Sequence, residues 1–312
     1  MHRGNTIVLG TRGSELARTQ TQMVANALRN AHPGREIEIA VIKTSGDERA
    51  SDQALGSDRH AGRKGLFTAE IERALRCGEI DVAVHSAKDL PSEANEQLVI
   101  GAVLPRADAR DVLVTREEGG LHGLRAKDVI GTGSVRRQCQ LRWQRPDLQF
   151  ADLRGNVPTR LRKLGEGNCA AILLATAGLE RLGHAPSTGR IAVDALTFFA
   201  EILDPEIFLP AGGQGVIALQ IRREDEETNE LLRPIDHGAT RCCLRAEREF
   251  LRLLGGDCAT PVGTLATIEK GVMTLRAQLF TPPTATPRAR RVEGAAESAE
   301  ELSRRLWEMI NE

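Results

Sequence analysis

Short apolar runs alternate with amphipathic segments over the first two thirds of the chain. The short runs have the pattern of buried strands, and the longer segments repeat apolar residues at helical spacing. The predicted strands are residues 7–9, 36–41, 82–84, 98–104, 129–130, 148–153 and 171–174. The predicted helices are one that Ser14 caps and those over residues 66–76, 134–143 and 157–164. This alternation predicts α/β domains with largely parallel sheets.

The last third of the chain has a different pattern. It predicts a helix over residues 240–254, an alternating strand over residues 272–280 and a second amphipathic helix over residues 297–310. This order is typical of a small α+β domain packed against the others. Residues 45–63 carry no apolar pattern, and a loop of that length in a compact protein is expected to be mobile and functional.

Two strand-to-helix junctions resemble each other. Residues 10–14 (GTRGS) follow the first strand, and residues 131–134 (GTGS) follow a strand of the second block. A helix start offers backbone N–H groups and the positive end of the helix dipole to an anion. One such turn is usually only a helix cap, but arginine flanks both, as Arg12 and as Arg136 and Arg137. Paired anion sites are therefore the better interpretation.

Composition narrows the possible functions. Hydrophobic residues make up 41% of the 312 residues and charged residues 27%, as in soluble globular proteins. No apolar run approaches the roughly 18 residues of a membrane span, and residues 7–9 are too short for a secretory signal, so we predict a cytoplasmic protein without a membrane partner. A net charge of −1 and 3% aromatic residues argue against nucleic-acid binding.

Six cysteines occur without a Cys-x-x-Cys pair or a common zinc spacing, so we predict no metal site. Most are expected to be small buried hydrophobic residues. Cys258 is the exception, because Gly255, Gly256 and Pro261 mark a turn around it.

Several segments, taken in order, resemble the porphobilinogen deaminase (hydroxymethylbilane synthase) family. Any one of them would be a weak signal, whereas the ordered set is specific and spans nearly the whole chain. They are GTRGSELA (10–17), KGLF (64–67), DVAVHSAKDLP (81–91), GTGSVRR (131–137), RGNVPTRL (154–161), AGLERL (177–182), residues 209–215 and GGDCATPVG (255–263).

The resemblance implies an enzyme of tetrapyrrole (haem and porphyrin) biosynthesis. Such an enzyme joins four molecules of porphobilinogen head to tail into the linear tetrapyrrole hydroxymethylbilane and releases ammonia. The family primes this reaction with one dipyrromethane cofactor per chain, held through a thioether, and Cys258 matches the attachment position. The resemblance also implies a monomer.

The resemblance assigns roles to further residues. Asp89 matches the catalytic aspartate, although by itself it would be read as a turn aspartate before Leu90 and Pro91. Each pyrrole ring carries an acetate and a propionate, and arginine pairs well with carboxylates. By resemblance, the cofactor is bound by Thr132, Ser134, Arg136, Arg137, Lys88 and Arg160, and the substrate by Arg12, Ser14, Lys64, Arg154 and Arg181.

The fold implied by the resemblance has three domains. Two α/β domains similar to type II periplasmic binding proteins enclose a cleft, and a small α+β domain carries the cofactor. The predicted bounds are residues 1–104 with 212–228, residues 105–211 and residues 229–312.

Two other functions are possible from the residues. A non-catalytic, two-lobed protein that binds small anions would use the same fold and helix termini, but would need neither Cys258 nor Asp89. A nucleotide-binding transferase is a poorer match, because no Gly-x-x-x-x-Gly-Lys-Ser/Thr sequence occurs.

Overall fold

The computed structural model describes residues 5–43, 68–93, 95–193, 196–255, 260–281 and 286–312. Its strands are β1 (Thr6–Thr11), β2 (Glu36–Val41), β3 (Val82–Ser86), β4 (Leu98–Val103), β5 (Asp111–Thr115), β6 (Val129–Gly131), β7 (Gln149–Ala151), β8 (Ala171–Ala175), β9 (Arg190–Val193), β10 (Leu196–Ile202), β11 (Ile217–Arg222), β12 (Val262–Glu269), β13 (Val272–Leu279) and β14 (Arg288–Ala295). Its α-helices are α1 (Glu15–Ala31), α2 (Ala69–Arg76), α3 (Gly120–Gly123), α4 (Val135–Gln144), α5 (Val157–Gly165), α6 (Thr176–Arg181), α7 (Glu226–Leu232), α8 (Gly238–Leu253) and α9 (Ala299–Asn311).

The first lobe is built on a sheet with the strand order β2-β1-β3-β11-β4. Helix α1 packs on it through Val24 and Leu28, which repeat at helical spacing and are fully buried with Leu9 of β1. Ser14 begins this helix, because its side chain accepts a hydrogen bond from the Ala17 backbone N–H at 3.3 Å. The first junction therefore lies at the carboxyl end of β1, the edge where α/β sheets bind ligands.

The second lobe has a sheet with the strand order β7-β6-β8-β5-β10-β9. Its core includes Val112, Leu161, Leu164, Ile172 and Phe198. Strand β6 runs into α4 as β1 runs into α1, so the two junctions occupy equivalent places in the two lobes.

The expectation of largely parallel sheets is wrong. Strand β1 pairs parallel with β2 and β3, and β6 pairs parallel with β7 and β8, but β5, β10 and β11 pair antiparallel with all their neighbours. These three strands lie next to the connections between the lobes. Strands β5 and β11 each follow a connection from the other lobe, and β10 follows β9 directly in the chain. None of the three is therefore reached through the strand–helix–strand unit that imposes the parallel direction.

The two connections between the lobes, residues 104–110 and 203–216, run side by side. Ala107 N–H donates to the Gly215 carbonyl at 3.0 Å. Gly213 has a φ of +77°, and a Cβ there would lie 3.0 Å from the Lys88 backbone nitrogen. The second connection therefore passes against the turn that follows β3, which only glycine permits at this position.

The third part of the chain is an antiparallel sheet, β12-β13-β14, covered by α8 and α9. Its core is formed by Phe250, Met273, Leu275, Leu306 and Ile310, all fully buried. The predicted fold class, two α/β lobes and a small α+β domain, is confirmed.

A buried carboxylate of α8 joins this part to both connections. Glu247 accepts hydrogen bonds from the Arg106 guanidinium at 2.5 Å, from Gly213 N–H at 2.6 Å and from Ala266 N–H at 2.8 Å. One side chain thereby links each connection to β12 of the third sheet.

The predicted elements of the described regions agree with the structure to within three residues at each end. The loop expected over residues 45–63 and the first residues of the predicted helix 66–76 lie outside the described residues. The domain bounds remain a prediction, and Leu231 and Leu232, placed beyond residue 228, pack in the core of the first lobe. No helix in the described part of the chain is long and apolar enough to cross a membrane.

Candidate active site

Asp89 lies where the chain leaves the first sheet. Ala87–Asp89 forms one turn of 3₁₀ helix directly after β3, and the Asp89 side chain is half-buried. Asp89 lines a pocket together with Arg12 and Ser14, which come from the junction between β1 and α1. Three residues that the sequence predicted from two separate segments therefore lie around one space.

Both arginines of the second junction are buried, and both form ion pairs with one carboxylate. Arg136 and Arg137 lie in the first turn of α4, and Asp111 is the first residue of β5. Arg136 Nη1 donates to Asp111 Oδ2 at 2.7 Å, and Arg137 Nη2 donates to Asp111 Oδ1 at 2.7 Å. Burial favours the neutral acid, but the two guanidinium charges outweigh it and hold the pKa of Asp111 well below its usual range. The three residues together carry a net positive charge.

Lys88 precedes Asp89 and points toward the same group of charges. Its Nζ lies 3.5 Å from Gln214 Oε1. Burial lowers the pKa of Lys88 to about 8, against the charges of Asp89 and Asp111, which favour the ammonium form. The positive charges of Arg136 and Arg137 also lower this pKa. The charges of all four groups therefore act on the Lys88 ammonium.

Two further arginines are cations in a poorly solvated place. Burial, followed by the charge of Arg137, lowers the pKa of Arg160 to about 10, while Asp89 raises it. Burial likewise lowers the pKa of Arg181 to about 10. Arg181 Nη2 donates to the Gly215 carbonyl at 2.7 Å, and its buried Nε has no hydrogen-bond partner within the described part of the chain. An added carboxylate would stabilise both cations.

The hydroxyl residues of the second junction form the helix start. Ser134 accepts from Arg137 N–H at 3.5 Å, and Thr132 Oγ1 accepts from Ser134 N–H at 3.2 Å. Arg154 differs from the other predicted arginines, because it is exposed and its Nε donates to Asp152 at 2.6 Å. Thr132 and Ser134 therefore lie at the start of the helix that carries Arg136 and Arg137, whereas Arg154 is held in a surface ion pair.

Two predicted site residues, Lys64 and Cys258, lie outside the described residues. Their roles as substrate-binding and cofactor-attachment residues stay predictions.

Sequence reasoning missed several residues of this region. Asp111 was detectable as a charge directly before the apolar run 112–114, and Gln214 as a glutamine between two glycines. Gln20 and Ser86, which hydrogen-bond each other at 2.9 Å, also line the pocket of Asp89. Their partnership joins positions 66 residues apart, and no local pattern reveals it.

His85 lines the same pocket as a neutral group. Its ring Nε2 lies 3.2 Å from Gln220 Oε1, and burial lowers the pKa of His85 to about 4. The imidazole is therefore uncharged at neutral pH, and the pocket's charge comes from Arg12 and Asp89.

The arrangement suits an extended ligand with several carboxylates. Arginine and lysine side chains outnumber the carboxylates of Asp89 and Asp111, and most of them are at least half-buried. Asp89 lines a pocket among these cations, where an acid group can stabilise a positive charge or move a proton.

Comparison with known proteins gives consistent results. The family described as "Porphobilinogen deaminase, dipyromethane cofactor binding domain" matches residues 7–230, and "Porphobilinogen deaminase, C-terminal domain" matches residues 241–312. The porphobilinogen deaminase of Roseiflexus sp. (strain RS-1) is 47% identical over 88% of this chain and 86% of that protein. That of Pelotomaculum thermopropionicum is 44% identical over 98% and 93%.

Among solved structures, the periplasmic VFT2 domain of Bordetella pertussis BvgS is similar at a TM-score of 0.43 and 15% identity, over 74% of this chain and 86% of that one.

Proposed function

Since the chain belongs to the porphobilinogen deaminase family, we propose that Asp89 is its catalytic carboxylate and that Cys258 carries its dipyrromethane cofactor. The chain is a transferase of tetrapyrrole biosynthesis that condenses four porphobilinogen molecules into hydroxymethylbilane and releases ammonia. The alternative of a non-catalytic anion-binding protein is set aside, because both matched family models belong to an enzyme.

One observation carries the assignment of Asp89. Its carboxylate shares a pocket with Arg12 and Ser14, and the charges of Lys88 and Arg160 lie close to it. A substrate whose acetate and propionate pair with the cations would place its pyrrole ring beside this carboxylate.

The cations are proposed to bind the ring carboxylates. Burial disfavours the charged forms of Arg160 and Arg181, so a carboxylate that pairs with either is stabilised more than it would be in water. The buried Arg181 Nε supplies a donor for such a partner. We propose that the substrate is bound by Arg12, Ser14, Lys64, Arg154 and Arg181, and the cofactor by Lys88, Thr132, Ser134, Arg136, Arg137 and Arg160.

Asp89 is proposed to act on charge and protons. Loss of ammonia from the aminomethyl group of porphobilinogen leaves a cation conjugated with the pyrrole N–H, and a carboxylate beside that N–H lowers the energy of the cation. Asp89 can also accept the proton that leaves the pyrrole carbon when the new bond forms. When bound, the dipyrromethane cofactor supplies the nucleophilic pyrrole carbon from which the chain grows.

We further propose a cytoplasmic monomer with the three domains predicted from the sequence. Size-exclusion chromatography with light scattering would test the monomeric state, and a mass twice that of the 33.9 kDa chain would contradict it.

Intact-mass measurement tests the cofactor attachment. We expect the native protein to be heavier than its amino-acid sequence, and Cys258→Ser to lose this added mass. Cys77→Ser is the matched control, because Cys77 is exposed and lies in the first lobe at the end of α2. An adduct that persists in Cys258→Ser would contradict the assignment.

Steady-state kinetics test the catalytic carboxylate. Asp89→Asn should keep the added mass and lose turnover by about hundredfold or more, as expected when an electrostatic and proton-transfer group is removed. Asp147→Asn, on an exposed carboxylate, should retain full activity. Turnover near the wild-type rate in Asp89→Asn would exclude the proposed role.

A further inference from the structure

Gln214 is a buried side chain that contacts both lobes. It lies in the connection of residues 203–216 and is 1% exposed. Its Nε2 donates to the Ala109 carbonyl at 2.7 Å and to Asp111 Oδ1 at 2.9 Å, and its Oε1 lies 3.5 Å from Lys88 Nζ. One amide thus spans the distance from the turn after β3, in the first sheet, to the start of β5, in the second.

The contacts require a neutral group with a donor at one atom and an acceptor at the other. The carboxylate of Asp111 needs a donor, whereas the ammonium of Lys88 needs an acceptor. A carboxylate at position 214 would repel Asp111, and a cation would repel Lys88. Glutamine satisfies both neighbours without adding charge.

The backbone holds this amide in place. Gly213 and Gly215, on either side, have positive φ angles of 77° and 86°, and each approaches another segment too closely for a side chain. Glu247 accepts from Gly213 N–H at 2.6 Å, and the Arg181 guanidinium donates to the Gly215 carbonyl at 2.7 Å. The peptide around Gln214 is therefore fixed from both sides.

We propose that Gln214 is a positioning residue for the condensation reaction. It holds the Lys88 ammonium of the first lobe in register with the two guanidinium groups that Asp111 carries in the second lobe. This inference rests on the proposed function, in which Lys88, Arg136 and Arg137 bind neighbouring carboxylates of one pyrrole chain. Cations at a fixed separation can pair with such carboxylates together, whereas a lysine that moves must be ordered at each step.

The charges that face Lys88 come from several elements. Asp89 is its neighbour in the chain, Asp111 begins β5, and Arg136 and Arg137 lie in α4. Two of these groups favour the ammonium and two oppose it. The Gln214 side-chain carbonyl is an acceptor and joins the groups that stabilise the ammonium form.

The test is Gln214→Met in the full-length holoenzyme, which keeps the length of the side chain and removes both polar atoms. We expect the cofactor mass to be retained and kcat/KM for porphobilinogen to fall by about tenfold, the effect of one hydrogen bond to a charged group. Deprotonation of Lys88, whose pKa is about 8, is expected to make kcat/KM fall at alkaline pH, and we call this fall the alkaline limb of the pH profile. In Gln214→Met the alkaline limb should move down by about half to one pH unit, because the ammonium has lost an acceptor.

Gln278→Met is the matched control. Gln278 is 2% exposed, accepts from Gln140 Nε2 at 2.7 Å and donates to the Ile207 carbonyl at 3.1 Å. The same substitution there removes two hydrogen bonds of a buried amide that does not contact Lys88. We expect it to lower stability without moving the alkaline limb.

The outcomes distinguish a failure of the inference about Gln214 from a failure of the proposed function. A Gln214→Met enzyme with the kcat/KM and pH profile of Gln278→Met would overturn the inference. If Gln214→Met does not fold, Gln214→Asn decides, since its amide is one carbon too short to make both contacts; an unmoved limb again overturns it. A wild-type protein without added mass would instead refute the proposed function, whatever the Gln214 variants show.

Discussion

The two junctions begin with the same short sequence and use their arginines differently. In the first lobe, Arg12 is half-buried on the wall of the pocket that Asp89 also lines. In the second lobe, Arg136 and Arg137 point away from solvent and share Asp111. Both turns end in a capping serine, but Arg12 precedes its serine by two residues whereas Arg136 and Arg137 follow theirs in the first turn of α4. This difference in position places Arg12 on a pocket wall and brings Arg136 and Arg137 against Asp111.

The difference also separates two electrostatic roles. Arg12 is only partly buried and lines the pocket, so a ligand that enters the pocket can reach its guanidinium group. Two buried arginines must be neutralised in part by the protein, and their remaining positive charge acts at short range in a place of low dielectric constant. The first junction is suited to an exchangeable substrate, and the second to a group that stays bound.

The largest expected effect is from removing the shared counter-charge. Asp111→Asn would leave two buried guanidinium groups without a carboxylate, so the free energy of unfolding should fall by about 3–5 kcal/mol. Urea denaturation measures this. Asp152→Asn, which breaks the exposed pair with Arg154, should cost less than about 1 kcal/mol. Equal effects of the two substitutions would remove the distinction between the junctions.

At the first junction, a substitution should affect activity more than stability. Arg12→Leu is expected to lower kcat/KM by about 10- to 100-fold, the loss of a charge-assisted contact to a carboxylate, with little change in unfolding free energy. Arg18→Leu, on an exposed arginine of α1, the helix that follows this junction, is the control and should retain activity. A loss of stability in Arg12→Leu comparable with that of Asp111→Asn would contradict the comparison.

Lys88 connects the two junctions and titrates. Its pKa is about 8 in the folded protein against an ordinary value of 10.5, and the charge of a bound carboxylate favours the ammonium form. We therefore expect kcat/KM to fall as pH rises through a value of 8 or above, by up to about tenfold per pH unit. Lys88→Arg should remove this limb, because guanidinium stays protonated. A limb that persists unchanged in Lys88→Arg would assign it to another group.

The same shift predicts how stability depends on pH. Burial of the ammonium opposes folding below pH 8, because the unfolded chain binds that proton more tightly. Between pH 8 and 10.5 the folded lysine is neutral while the unfolded one remains charged, so the contribution of Lys88 to stability rises with pH. Lys88→Met should lose this rise in urea denaturation, and a rise of equal slope in the variant would contradict it.

The smallest effects concern the helix starts. Ser14→Ala and Ser134→Ala should each reduce the free energy of unfolding by about 1 kcal/mol, and less at Ser134, where the accepted bond is 3.5 Å rather than 3.3 Å. Ser298→Ala is the control, since Ser298 begins α9 without a capping side-chain hydrogen bond. A larger loss at Ser298 than at Ser14 would show that the caps do not set these junctions.

The sequence predicted features that depend on neighbouring residues. The helix start at Ser14 and the strand Glu36–Val41 follow from a capping residue and from strict alternation, and both are present. The placement of Asp89 directly after β3 follows in the same way, because the end of a buried apolar run marks the edge of the sheet.

Contacts between distant segments were not predictable from these patterns. Asp111 meets Arg136 across 25 residues, and Gln214 meets Asp111 across 103. Nothing local marks either pair, since each depends on how two lobes and two connections pack. The antiparallel strand β11 was missed for the same reason, because its neighbours are set by a connection from the other lobe.

The place of β11 in the first sheet has a consequence for synthesis on the ribosome. This strand lies between β3 and β4 but is translated after the whole sheet of the second lobe. The lobe that begins first therefore cannot close its sheet until residue 222 has emerged, whereas the later one has all its strands by residue 202. We expect nascent chains stopped before β11 to protect the second lobe from protease while the first remains digestible, so that the order of folding reverses the order of translation.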